Sequence, residues 1–281
     1  MHAPRLLTLV AALSLATVPM AAQSEIPASS PGYSAGAAPP VAAEAPAPED
    51  HPAPAHTGWA SLAKDTFEDF KAFPRRRSTW VLLGAGLAGA AATHPADRYV
   101  ETHVVGNDTA TTVFGAGKYL GGTYAQVGAG LGLWLVGRYV VPANDGTRTN
   151  KWSHLGFDLM RGQIVSQTLV QAMKHSVRRD RPSGECCAFP SGHAATAFAT
   201  AAILERHLGY RGSWPALVGA AYVAASRLVD HRHFLSDVVM GAAIGEAAGW
   251  TVVGRHGRSS WTWQPVPVPD GMMIAVARTP D

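Results

Sequence analysis

Apolar residues recur along the chain in blocks that predict helices. Trp59, Leu62, Ala63, Phe67, Phe70 and Phe73 fall at helical spacing, with Lys64, Asp65, Glu68 and Asp69 on the other face. Pro74 ends that helix, and Arg75, Arg76 and Arg77 follow. Four later stretches are strongly apolar: 80–93, 119–137, 190–204 and 214–225. A fifth, 238–253, contains Glu246. Residues 153–173 predict a helix that carries Asp158, Arg161 and three glutamines. Only 119–137 approaches the ~20 uncharged residues of a spanning helix. Each mid-span charge in 153–173 would cost about 2.5–3.5 kcal/mol on insertion, so that helix is a poor span. Strand signals appear only in the tail. There 261–268 and 272–277 flank Asp270-Gly271, and Pro265, Pro267 and Pro269 limit such a hairpin to a sheet edge. The pattern predicts an all-α bundle of about six or seven helices with a small C-terminal hairpin. It fits a bilayer and the periplasm equally.

The ends of the chain differ from the middle. Residues 1–22 read as a secretory signal: Arg5 supplies the positive start, Leu6 to Val18 the apolar stretch, and Ala21-Ala22 the small residues near a cut. Cleavage is favoured over an uncleaved anchor, because the apolar run is short and Pro19 breaks it. Residues 23–57 are rich in Pro, Ala and Ser, and read as a linker without a core. Order is expected from about Trp59. The segment 58–77 is an amphipathic helix with a basic cluster, which would lie on a membrane or pack on the domain. Its polar face is acidic as well as basic, which favours packing. The main domain follows over 78–255, then a tail over 256–281.

Composition narrows the function. Apolar residues make up 47% of the chain and charged residues only 15%, with a formal net charge of +3. This mild basicity suits an anionic substrate or membrane surface and is too slight to argue nucleic acid. The two cysteines, Cys186 and Cys187, are adjacent and cannot staple distant segments. They read as two small thiols, a ring between neighbours being rare. No Cys/His spacing resembles a zinc site.

Three clusters between Lys174 and Asp237 carry chemistry. Lys174 precedes Arg181-Pro182 by six intervening residues; Pro190-Ser191-Gly192-His193 follow; Ser226-Arg227 precede His233 by five and Asp237 by nine. Lys174, Arg181 and Arg227 are cations able to hold a phosphate dianion, arginine by a bidentate fork. Ser191 and Gly192 open an apolar helical run, where free backbone N–H groups bind anions and glycine permits close approach. His193 would sit on its first turn. His233 and Asp237, four apart, would share one helix face, the carboxylate holding the imidazole tautomer that leaves the other nitrogen free to attack phosphorus. His193 would then act as acid and base. The cations answer the charge demand of phosphoryl transfer, and no metal is required. Arg178, Arg179, Asp180, Arg206, Arg211 and Arg232 read as solvated or interfacial charges. Arg178 and Arg179 have a weaker claim to steering an anionic substrate.

These clusters resemble the type 2 phosphatidic acid phosphatase (PAP2) and vanadium haloperoxidase superfamily. All eleven specified positions of its three-part pattern are present, in order and at its spacing. The resemblance covers about 78–253 and implies a helical fold. It also implies a metal-independent phosphatase acting on monoesters or pyrophosphates, favouring lipid phosphates, through a phosphohistidine. It makes Lys174, Arg181, Ser191, Gly192 and Arg227 phosphate ligands, His193 the acid/base, His233 the nucleophile and Asp237 its orienter. Ser226 and the prolines would shape the site. His231 is a rival by type, but spacing selects His233. No cofactor is expected; vanadate would inhibit. One alternative is a haloperoxidase holding vanadate as cofactor, against which the chain is short. Another is a non-catalytic envelope protein, against which the intact acid, nucleophile and orienter argue. The expected partners are a phosphorylated substrate and a membrane surface or bilayer. The expected location is the cell envelope, with the site facing the periplasm or exterior. Oligomeric state leaves no mark on the sequence.

Overall fold

The computed structural model describes residues 56–105, 107–143 and 149–254, and the backbone of two strands in the tail. The signal read at 1–22 and the linker up to residue 55 lie outside the described residues. Order starts slightly before Trp59: Thr57 is buried, and its carbonyl accepts the indole N–H of Trp134 at 2.7 Å.

The helices are α1 (Trp59–Ala72), α2 (Arg77–Thr93), α3 (Asp97–Val104), α4 (Asp108–Phe114), the single turn α5 (Gly117–Leu120), α6 (Thr123–Tyr139), α7 (Lys151–Val177), α8 (Gly192–Val229) and α9 (Leu235–Val252). Six of them, α1, α2, α6, α7, α8 and α9, have fourteen residues or more. The stretches 190–204 and 214–225 fall in one element, α8, which bends where Gly209 leaves helical geometry at φ 70°. The all-α fold of six or seven helices is thus the observed one. No helix among the described residues is long and apolar enough to cross a membrane. The stretch 119–137 is divided, because Gly121 and Gly122 separate α5 from α6.

α7 is the central rod. Asn150 caps it by accepting the N–H groups of Trp152 and Ser153, and Ser153 Oγ accepts the Asn150 N–H in return. Phe157, Val165 and Val170 on α7 are fully buried, as are Ala194, Ala195 and Ala199 on α8. α9 lies against α8 through Gly241, Gly245 and Gly249. A Cβ on Gly241 would stand 2.4 Å from the Ser191 carbonyl oxygen, and one on Gly245 2.3 Å from that of Ala195. This small-residue ridge brings the two backbones together where both helices begin, and the Ser191 N–H donates to the Asp237 carbonyl at 2.9 Å.

α1 departs from its expected faces. Asp69 belongs to the polar side by spacing, yet it is buried, because Arg161 on α7 grips both its oxygens at 2.7 and 2.8 Å. Burial still raises its carboxyl to about 6 against the pull of Arg161. Trp59 and Phe67, expected on the packed face, are exposed.

The tail hairpin forms, with β1 (Ser259–Val268) antiparallel to β2 (Gly271–Pro280). Both strands run longer than 261–268 and 272–277. Pro265 and Pro267 are two apart, so their missing N–H groups fall on one side of the strand, and a two-stranded sheet leaves such a side free.

Candidate active site

Lys174 lies on the last turn of α7, which Arg178 ends in a left-handed conformation with φ 50°. The chain then folds back on itself. Arg181 N–H donates to Glu185 O at 2.7 Å and Ala188 N–H to Arg179 O at 2.7 Å. This closed loop returns Cys187 and Ala188 beneath Lys174, whose ammonium donates to both their carbonyls. Within the loop, Cys186 and Cys187 are bonded to each other. Of the two states the sequence allows, two thiols or a ring between neighbours, the rarer ring is the one formed. Cys187 adopts φ 75°, a turn that brings neighbouring sulfurs together.

Ser191 caps α8, its hydroxyl oxygen accepting the Ala194 N–H, and Gly192 and His193 are the first helical residues. A Cβ on Gly192 would meet the Gln167 side chain at 3.4 Å and Val170 Cγ1 at 3.6 Å. Arg227 sits near the end of the same helix, bonded to Asp230 at 2.8 Å. Ser226 turns inward, its hydroxyl donating to Val223 O at 2.7 Å, and its small size admits Gly117, where a Cβ would stand 2.5 Å away.

The helix expected to carry both His233 and Asp237 starts too late for that. His233 precedes α9, and Asp237 lies in its first turn, where Oδ2 accepts the Phe234 N–H at 2.9 Å. The pair meets because the chain turns into the helix, not because a helix face aligns it. His233 Nδ1 is 3.7 Å from Asp237 Oδ2, a charge contact just beyond a hydrogen bond. His231 is committed elsewhere, its Nε2 being 2.9 Å from Glu101 Oε1.

The predicted groups converge. Burial first, then the charges of Arg227 and His233, push His193 down to about 4, against the hydrogen bond its ring donates to the Lys118 backbone carbonyl. Burial also lowers His233; Asp237 opposes this, while Lys174 and Arg227 add to it. Lys174 falls to about 8 through burial and Arg181, with Asp237 resisting. Both imidazoles are thus neutral at pH 7. Arg181 is shared with Glu185, which also receives Arg232. Buried Arg181 Nε, Arg227 Nε and His233 Nδ1 have no hydrogen-bond partner among the described residues. His233 Nδ1 faces Asp237, which leaves the two guanidinium Nε–H groups beside the imidazoles available to a ligand. Guanidinium N–H groups can serve only an acceptor, and the charges of Lys174, Arg181 and Arg227 around the imidazoles favour an anionic one.

Two residues of this site escaped the sequence. Arg179, expected to be solvated or interfacial, donates to Asp237 Oδ1 and Ser236 Oγ at 2.7 Å each and to Asp97 Oδ2 at 2.8 Å, and lies over the Phe234 ring. Asp97, at the start of α3, accepts from the Ser236 N–H and hydroxyl at 2.9 and 2.6 Å. Burial alone would raise the Asp97 carboxyl, but the bonds from Arg179 and Ser236 hold it below the ordinary range. Asp97 and Arg179 therefore lock the carboxylate behind His233. No motif joins positions so far apart, and only the buried pairing reveals them.

Comparison with known proteins gives matches over the same part of the chain. Residues 156–261 match the model of the PAP2 superfamily, and every motif position lies within that range. The match begins inside α7, so α1 to α6 lie outside it. A lipid A 1-phosphatase of Porphyromonas gingivalis is 37% identical over 106 residues, 36% of this chain and 24% of that protein. A lipid A 4'-phosphatase of Helicobacter pylori is 24% identical over 120 residues, 38% of this chain and 61% of that protein. The chain therefore spans only about a quarter of the length of the first and three fifths of the second. A crystal structure of a transmembrane PAP2-type phosphatidylglycerolphosphate phosphatase from Bacillus subtilis aligns with a TM-score of 0.47 at 20% identity, over 68% of this chain and 95% of that one.

Proposed function

From the membership of the chain in the PAP2 superfamily, carried by residues 156–261, we propose that it hydrolyses phosphate monoesters of lipids in the cell envelope without a metal. The supporting observation is the meeting of two neutral imidazoles with three cations, two of which keep buried, unbonded Nε–H groups. His233 Nε2 attacks phosphorus, its Nδ1 being turned toward Asp237. The P–O bond to the alcohol breaks, and His193, which takes up a proton as the bound phosphate dianion offsets the surrounding cations, delivers that proton to the departing oxygen. Water, giving its proton to His193, then cleaves the P–N bond and releases phosphate. Lys174, Arg181, Arg227 and the Gly192 N–H at the start of α8 stabilise the equatorial oxygens, while the Ser191 N–H, expected to join them, is held by the Asp237 carbonyl.

A lipid fits the surroundings. Tyr119, Leu120 and Tyr124 are exposed beside Lys118, whose backbone bonds the His193 ring. Exposed aromatics of this kind suit an acyl-chain or headgroup boundary. Lipid A, which the names of the two relatives give as their own substrate, is the first to try. The test is a panel of lipid A, phosphatidic acid, phosphatidylglycerol phosphate, a polyprenyl pyrophosphate and an aryl phosphate. Release from at least one lipid, unchanged by EDTA and inhibited competitively by vanadate, is expected. Loss of activity with EDTA, restored by a divalent ion, would overturn the metal-free reading. Halide oxidation with vanadate and peroxide, without phosphate release, would transfer the site to haloperoxidase chemistry.

Arg179 serves as a positioning residue in this scheme. Arg179→Lys keeps the charge but cannot bridge Asp237, Ser236 and Asp97 together. We expect kcat to fall by about 10²-fold with KM little changed, because small misplacement of a reacting group costs that much. An equal rise in KM with kcat preserved would assign Arg179 to substrate binding instead.

A further inference from the structure

A second cluster of ligating groups lies far from the phosphate site. His154 and Asp158 are one turn apart on α7, and His207 reaches them from α8, two residues before the bend at Gly209. Both imidazoles direct Nε2 at the same oxygen, Asp158 Oδ2, His154 from 3.1 Å and His207 from 2.9 Å. All three candidate ligand atoms lie within 4.8 Å of one another. The cluster is secluded, with side-chain exposures of 18%, 4% and 7% for His154, Asp158 and His207.

We propose that His154, Asp158 and His207 form a zinc site that clamps the start of α7 to the bend of α8. Two imidazoles and one carboxylate are a zinc ligand set that leaves a fourth position for water. Zinc–ligand bonds of ~2.0–2.2 Å in a tetrahedron place ligand atoms ~3.3 Å apart. The two His-to-Asp distances need only a few tenths of an ångström of expansion to reach this, and the two nitrogens must draw together. Each imidazole would supply its Nε2 lone pair with the ring proton on Nδ1.

The supporting shell is also present. Arg161 donates to Asp158 Oδ1 at 3.0 Å and is itself fixed by Asp69. Such outer partners orient a ligating carboxylate and leave its second oxygen directed at the metal. Asp69 offsets the positive charge that Arg161 brings. By helical rise, Asp158 stands about 24 Å along α7 from Lys174, so the ion would contribute structure and take no part in phosphoryl transfer.

The experiment uses the full chain without a histidine tag, stripped by chelator. Zinc is titrated against a chromophoric chelator, and cobalt is followed by its visible absorption. One equivalent of zinc is expected, with four-coordinate cobalt bands, both lost in His154→Gln and in His207→Gln. Saturation at a hundredfold excess over Kd should raise Tm by roughly 5–10 °C. Aryl phosphate turnover should be equal with and without zinc, which separates this site from the catalytic one. Zinc-edge absorption of the wild-type chain needs no variant to fold, and should show two imidazole shells. No saturable zinc, uptake equal in wild type and the double variant, or a shell without imidazole would each overturn the proposal and leave a hydrogen-bonded cluster.

Discussion

His233→Ala is expected to lower turnover by about 10⁴-fold or more, the scale on which removing an activated nucleophile acts. The reasoning begins with its surroundings. His233 is buried, held neutral by desolvation, and backed by a carboxylate that Arg179 and the Phe234 N–H fix in place. A neutral imidazole between that carboxylate and three cations has one nitrogen left for attack. The gap of 3.7 Å to Asp237 is expected to close as phosphorus takes the lone pair and Nδ1–H gains positive character. His231→Ala should leave turnover within a few-fold of wild type, since His231 is bonded to Glu101. Thermal melts of both variants control for folding. Loss of turnover in His231→Ala, with His233→Ala active, would move the nucleophile to the rival position.

His193→Ala should slow both half-reactions by about 10²–10⁴-fold, the usual contribution of a positioned acid or base. The deficit should shrink for an aryl phosphate, whose leaving oxygen needs less protonation, and hydrolysis of the intermediate should then limit turnover. The pH dependence follows from the charges around the ring. His193 stands at about 4 because burial and then Arg227 and His233 disfavour its protonated form. A bound phosphate dianion favours that form by offsetting the same cations, so its pKa rises in the complex. General-acid activity is lost as pH rises through the pKa of the acid. The alkaline limb of kcat should therefore lie at higher pH than that of kcat/KM, which reports the free enzyme. In His193→Ala that limb should vanish from kcat. An unchanged limb would assign the acid to another group, Lys174 being the first to examine.

Much of the fold was legible because α2, α6, α8 and α9 carry strongly apolar blocks, and Pro74 and Pro95 follow closely on the ends of α1 and α2. The motif residues were legible because their spacing is fixed by the turn from α7 into the loop and by the starts of α8 and α9. What escaped depends on contacts between distant segments. Asp97 meets Arg179 and Ser236 only after α3 packs beside α9, and nothing local marks any of the three. Asp69 reads as a surface acid until Arg161 is placed against it. His154 and Asp158 are a common surface spacing; His207, from another helix, makes them a candidate site. The helix assigned to His233 and Asp237 shows the limit of periodicity. The four-residue spacing was right and its cause was wrong, since His233 lies outside α9 and the carboxylate turns back to cap it.

The most direct measurement is to quench the wild-type chain during turnover of a ³²P-labelled substrate and map the label. An acid-labile, alkali-stable phosphate on the peptide that contains His233, chased by water and increased in His193→Ala, is the predicted result. Full turnover with no labelled intermediate, or label on another residue, would contradict the account.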